Sequence, residues 1–173
     1  MPRDYHAAPC VVRSIQSHEL PVLLELIFEL AAFEHMSNEV RVGEAELAAL
    51  LFAPQPRIWT LLAWKDGQAL GYAMLSEHFS SFAGRFGMYL EDIYVRPERR
   101  GGGVGRKLLV HVAKLAQTLG HERLDFQVLD WNTKAQNFYE SLGAKALRQW
   151  VPYRLGKAEL EALASAAGGT LQT

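Results

Sequence analysis

Along the chain the apolar positions change period several times, and each change marks an element. Residues 11–15, Val-Val-Arg-Ser-Ile, read as a short strand. Ser17 is placed to cap a helix running to about Met36, with Leu20, Leu24, Ile27 and Ala31 as its apolar stripe. That spacing puts Glu34 on the same face and Glu25 and Glu29 on another. Residues 47–52 suggest a shorter helix, stopped by Pro54 and Pro56. Segments 58–64 and 70–77 are rich in aromatic and aliphatic side chains and flank Asp66-Gly67, so they predict an antiparallel hairpin.

A third strand is expected over 86–95, but its aliphatic phase slips. Met88 and Leu90 share one parity, Ile93 and Val95 the other, and one inserted residue, a β-bulge, accounts for the slip. Val104, Leu108, Val112, Leu115 and Leu119 then mark one face of a helix that Gly120 ends. Leu124, Phe126 and Val128 alternate with polar residues, as a strand does. Asn132 is placed to cap a helix bearing Ala135, Phe138, Tyr139 and Leu142 and closing at Gly143, with a last strand at 151–155 and a final helix at 157–166. This order predicts an α/β (α+β) fold, a mixed and mostly antiparallel sheet flanked by helices.

With 173 residues and no repeat or low-complexity linker, the chain is expected to be a single domain over 1–173, its core at about 10–156 and its termini loose. The charge sums to −1, so no global basic field favours nucleic acid or an anionic membrane, and neither is expected as a partner. Cys10 is the sole cysteine, which excludes an intrachain disulfide and a cysteine zinc cluster and fits a cytoplasmic setting. The six histidines lack metal-ligand spacing, so no metal is expected. No stretch approaches the roughly 20 apolar residues of a membrane helix, and the first residues lead into no signal-peptide core.

The sharpest local feature is Arg99-Arg100-Gly101-Gly102-Gly103-Val104-Gly105-Arg106, between a strand and a helix. Glycines let backbone N–H groups approach a phosphate at the positive end of a helix; equally, they relax a surface turn. The loop lacks the Gly-Lys-Ser/Thr of a nucleotide P-loop, and Arg106 stands at the third glycine of the dinucleotide fingerprint. What it matches is Arg-x-x-Gly-x-Gly, which resembles the pyrophosphate loop of the GNAT superfamily of acyl-CoA-dependent N-acetyltransferases. Residues 26–40, 89–109 and 126–144 resemble blocks of the spermidine/spermine (diamine) and thialysine acetyltransferase branch, in the same order and spacing.

The resemblance implies a sheet that splays apart between its fourth and fifth strands to admit acetyl-CoA as co-substrate. Backbone groups of Ile93, Tyr94 and Val95 would meet pantetheine, Arg100, Gly101, Gly102, Gly103, Val104, Gly105 and Arg106 the pyrophosphate, and Asn132 is assigned to the same cofactor. It implies Tyr139 as the acid that protonates the departing thiolate, where residue spacing alone favours a core aromatic. Glu91 would be the base, and Phe33, Glu34 and Asp92 the amine-binding residues; without the resemblance, these carboxylates also fit an exposed strand end and a frayed helix end. A base is needed because an amine of pKa about 10.4 costs about 4 kcal/mol to deprotonate at pH 7.5.

The expected activity is therefore acetyl transfer to the primary amine of a small cationic molecule (a short diamine, a polyamine, or a lysine- or thialysine-like amino acid) by direct attack in a ternary complex. Polyamine-acetylating relatives carry acidic residues before the final strand, where this chain has Leu147-Arg148-Gln149-Trp150-Val151, so shorter amines are favoured. Two rivals stand beside this: a protein or peptide N-acetyltransferase of the same fold, disfavoured if Phe79 and Phe82 close the pocket, and a non-catalytic acyl-CoA-binding module. A homodimer is the assembly that relatives imply.

Overall fold

A computed structural model describes residues 9–166. The elements are β1 (Val11–Ser14), α1 (Leu20–Phe33), α2 (Glu44–Leu51), β2 (Ile58–Lys65), β3 (Gln68–Ser80), β4 (Arg85–Val95), α3 (Val104–Thr118), β5 (Leu124–Phe126), α4 (Thr133–Ser141) and α5 (Lys157–Ala166). The loose termini expected at 1–8 and 166–173 lie outside the described residues, apart from Ala166, which ends α5. The chain divides into two compact units, with the boundary after Gln127.

In the first unit, five strands form one sheet in the order β1-β2-β3-β4-β5, antiparallel except for the parallel pair β4 and β5. The β2–β3 hairpin turns at Asp66 and Gly67, both at positive φ (50° and 74°), as the two-residue turn predicted from Asp-Gly requires. Two apolar layers cover the sheet. Against one face lie Val104, Leu108, Val112 and Ala116 of α3, meeting Leu61, Ala63, Leu75, Met88 and Leu90. Against the other lie Leu20, Leu23, Leu26 and Leu30 of α1 and Leu47 and Leu51 of α2, meeting Leu62, Tyr72 and Tyr94. Each fully buried leucine contributes about 1.5–3 kcal/mol.

The first helix departs from expectation at both ends and in its phase. It stops at Phe33, because His35 adopts φ 60° and the amides of Met36 and His35 return to the carbonyls of Ala31 (2.8 Å) and Ala32 (3.2 Å), a Schellman closure. Its buried side is Leu20, Leu23, Leu26, Leu30 and Ala31, so the stripe is rotated from Leu24 and Ile27. Nor does Ser17 cap it. Residues Ser17–Glu19 form a 3₁₀ turn in which the buried Glu19 carboxylate accepts from the Gln16 amide at 2.8 Å and forms a two-pronged pair with Arg13 at 2.5 and 2.8 Å. The Glu19 carboxylate satisfies an orphan amide, the task expected of the serine, and its charge also favours the positive helix end.

Other elements follow their patterns. Gly120 ends α3 at φ 78°. The strand expected to reach Val128 stops at Phe126, in register with Leu90. Gly71 marks a close approach: a Cβ there would stand 2.1 Å from the Tyr94 carbonyl oxygen. Cys10 is partly buried against the α3-facing core.

The Arg13–Glu19 pair links stability to pH. Its hydrogen bond to Arg13 holds Glu19 below the ordinary carboxylate range despite burial. A depressed folded-state pKa contributes stability above the unfolded value, about pH 4, and loses it as pH falls through the folded one. Glu19→Gln is expected to cost about 1–3 kcal/mol in urea unfolding at pH 7, with the gap to wild type narrowing below about pH 4.

Candidate active site

Strand β4 carries the predicted bulge, at Glu91. Met74 pairs with Asp92 while its neighbour Leu75 pairs with Leu90, which leaves Glu91 with no register partner on β3. Met88, Leu90, Ile93 and Val95 thereby all reach the α3-facing core, and Tyr94 reaches the opposite one. Beside this bulge β5 has already ended, pairing with β4 only from Met88 to Leu90. The edge of 91–95 turned away from β3 therefore has no strand partner among the described residues.

The bulge sets the two adjacent acids in different surroundings. Glu91 is exposed and its Oε1 accepts from the Ser76 hydroxyl at 2.5 Å. Asp92 is partly buried, and its Oδ2 accepts from the Tyr72 hydroxyl at 3.0 Å. Burial, then the neighbouring charge of Glu91, pushes the Asp92 carboxyl above its ordinary range, with the Tyr72 bond pulling the other way. Glu34, immediately after the last residue of α1, is raised by burial and then by the Asp92 charge. Among the described residues no ion pair engages Glu34 or Asp92. Two adjacent carboxylates without a cation can attract an ammonium group.

Glu25 and Glu29 have a different task. Both pair with Arg96, at 2.5 and 2.9 Å, tying α1 to the end of β4. A cavity of about 490 Å³ lies there, lined by Glu29, Ala32, Tyr94, Arg96, Pro97 and Glu98.

The glycine segment follows a 3₁₀ turn at Pro97–Arg99. Gly101 and Gly103 both sit at φ 80°, with Gly103 as the N-cap of α3. Gly101, Gly102 and Gly103 are exposed, and space around Gly101 and Gly103 is open. The first intrahelical bond runs from the Lys107 amide to the Gly103 carbonyl, so the amides of Val104, Gly105 and Arg106 lie in the turn that offers donors outward. Such a cradle suits a diphosphate. Arg100, expected at the pyrophosphate, has its guanidinium over Phe33 at 4.6 Å and Tyr94 at 5.5 Å, and its Nε donates to the Val95 carbonyl at 2.8 Å. These contacts fasten the loop to α1 and β4, with Phe33, expected beside the amine, under the guanidinium.

In the second unit, Asn132 caps α4 as predicted, its Oδ1 accepting from the Ala135 amide at 3.1 Å. Tyr139 is buried on that helix, with the Phe138 ring 5.4 Å away. Gly143 ends the segment at φ 92°. The last strand does not form: residues 151–155 are exposed and irregular, and Pro152 has no amide to donate to a ladder. Phe79 and Phe82 do not close a pocket either. They are 58% and 98% exposed at the β3–β4 tip, so the argument drawn from them against a peptide acceptor falls.

Sequence reasoning missed Tyr72, Ser76 and Arg96. Each acts on a residue far along the chain, and only the inward parity of Tyr72 on β3 hinted at burial. Among the described residues no group of three or more His, Cys, Asp or Glu side chains is arranged to hold a metal ion, and no helix is long and apolar enough to cross a membrane.

Known proteins agree with this geometry. Thialysine N-epsilon-acetyltransferase of Bos taurus is 35% identical over 166 residues, 91% of this chain and 97% of that protein. A spermidine/spermine N(1)-acetyltransferase-like protein of Homo sapiens is 31% identical over 86% of this chain, which spans 23% of that longer protein. The solved structure of an integron cassette protein from the mobile metagenome of V. cholerae superimposes with a TM-score of 0.74 at 27% identity, covering 91% of this chain and 98% of that one. The model of the acetyltransferase (GNAT) family matches residues 24–144, from the middle of α1 through the bulge and glycine turn to the end of α4, and the chain belongs to that family of acetyltransferases.

Proposed function

We propose that the protein moves acetyl from acetyl-CoA to the primary amine of a small cationic molecule, by direct attack in a ternary complex. The observation that carries this reading is the pair Glu34 and Asp92, two partly buried acids without a cation, beside a bulged strand whose far edge is open. The thioester supplies an activated acyl group. Its diphosphate fits the outward amides of Gly101 to Arg106, with Arg100 holding the loop in shape, and its pantetheine arm fits the backbone edge of Ile93, Tyr94 and Val95. Asn132, which caps α4, is assigned to the same cofactor.

Glu34 and Asp92 hold the ammonium form and orient it. Glu91, exposed and oriented by Ser76, takes the amine proton toward solvent. Tyr139 supplies a proton to the departing thiolate, since a phenol with an ordinary pKa of about 10 keeps its proton at neutral pH. Similarity to thialysine acetyltransferases and the absence of acids in 147–151 support a short diamine or a lysine- or thialysine-like amino acid over a long polyamine. A family match over residues 24–144, reaching from the first compact unit into the second, supports one catalytic domain over the chain. The exposed apolar side chains of Leu147, Trp150, Val151 and Tyr153 support a homodimer, and the single cysteine supports a cytoplasmic setting.

Calorimetry tests the cofactor assignment. Gly103→Val places a branched side chain at positive φ in the cradle, and Arg100→Ala frees the loop from Val95; each is expected to raise the acetyl-CoA Kd at least about tenfold. Unchanged Kd in both folded variants refutes it. Tyr139→Phe is expected to lower kcat about 10²-fold with acetyl-CoA affinity retained, and wild-type turnover would return Tyr139 to a packing role. An amine panel with detection of released CoA thiol tests the acceptor. Short diamines and thialysine should exceed both spermine and a lysine-containing peptide in kcat/KM, and Glu34→Gln should raise KM more than it lowers kcat. Spermine or the peptide as best substrate contradicts this choice of acceptor.

A further inference from the structure

Tyr72 is the most deeply buried polar side chain near the acidic pair, with no exposed surface. It lies in the α1-facing core with Leu23, Leu26 and Tyr94, where a phenylalanine ring would fill nearly the same volume. A hydroxyl in such surroundings is costly unless it is hydrogen-bonded, and this one donates to Asp92 Oδ2 at 3.0 Å. Its placement is fixed by the sheet: Tyr72 pairs with Tyr94, and Asp92 pairs with Met74, two positions along β3 on the same face.

We infer that Tyr72 is a positioning residue for the amine: its buried hydroxyl fixes Asp92 through Oδ2, so that Oδ1 and Glu34 receive the substrate ammonium. This rests on the reading of Glu34 and Asp92 as the amine seat. The groups around Asp92 are Tyr72 from β3, Glu34 from the end of α1, and Glu91 and Tyr94 from its own strand, with Arg100 over the Tyr94 ring. Burial and Glu91 both favour the neutral acid, and the hydroxyl of Tyr72 opposes them. Burial, followed by the charge of Asp92, pushes the phenol itself well above its ordinary range. Tyr72 is thus a donor throughout the working pH range and has no role as a base. Removing its hydroxyl leaves Asp92 freer to rotate and easier to protonate, and both changes weaken the hold on a cation.

The test is a carboxyl ¹³C NMR titration of the full-length protein without substrate, with Asp92 assigned through Asp92→Asn. Tyr72→Phe is expected to move the Asp92 midpoint up by about one pH unit, the size of a hydrogen bond to a charged group. With thialysine as probe, KM should rise about five- to tenfold in Tyr72→Phe, more at pH 6 than at pH 8, with acetyl-CoA Kd unchanged. In the Asp92→Asn background the same substitution should change KM by less than about twofold, because Tyr72 acts through Asp92. In the wild type, the Tyr72 hydroxyl proton should exchange slowly and shift along the Asp92 titration, a readout that needs no variant. An unchanged Asp92 midpoint, or a KM effect that persists without Asp92, overturns the inference. Failure of the wild type to acetylate thialysine or any other cationic amine instead overturns the amine-seat reading, and the titration still decides whether Tyr72 governs Asp92.

Discussion

The bulge at Glu91 is the constraint on which the rest depends. In a regular strand, side chains alternate faces, so Met88 and Leu90 would oppose Ile93 and Val95 and one pair would leave the α3-facing core. One unpaired residue brings all four together there. The same displacement turns Asp92 and Tyr94 toward α1 and leaves Glu91 outside, so a core requirement and a site requirement are met by one irregularity. Gly71 belongs to this arrangement. The backbone at Tyr94 comes so near β3 that any side chain at 71 would strike its carbonyl.

Features encoded within a few residues were legible before the structure. Asp66-Gly67 named its turn through the φ values those residues tolerate, the parity slip over 88–95 named the bulge, and Asn132 named a cap. Arg100 was legible as part of a loop motif, but not as the clamp over Phe33 and Tyr94, because that use depends on α1 returning to the end of β4. Arg96 and Glu29 are 67 positions apart, and no local pattern records such a pair. The last strand failed for the opposite reason. Val151, Tyr153 and Leu155 alternate as a strand should, yet alternation specifies faces and supplies no ladder partner, and Pro152 withholds a donor.

Charge on α1 is distributed with the site in view. Glu19 at its start is neutralised by Arg13, and Glu25 and Glu29 in its middle by Arg96. Glu34 alone has no such counterion, and it sits at the C-terminal end, where the helix dipole also disfavours negative charge. Asp92 adds a second unfavourable charge beside it. The Schellman closure at His35 fixes the backbone beside Glu34, and the Tyr72 hydrogen bond holds the Asp92 carboxylate. On the proposed reading, an ammonium entering between them would relieve helix-end, burial and like-charge penalties at once, and a preference for a cation would follow. A neutral amine relieves much less of the repulsion. The proposed selection for charge would then be set by what the protein leaves uncompensated at the end of α1, where the earlier acids on and beside that helix already have positive partners.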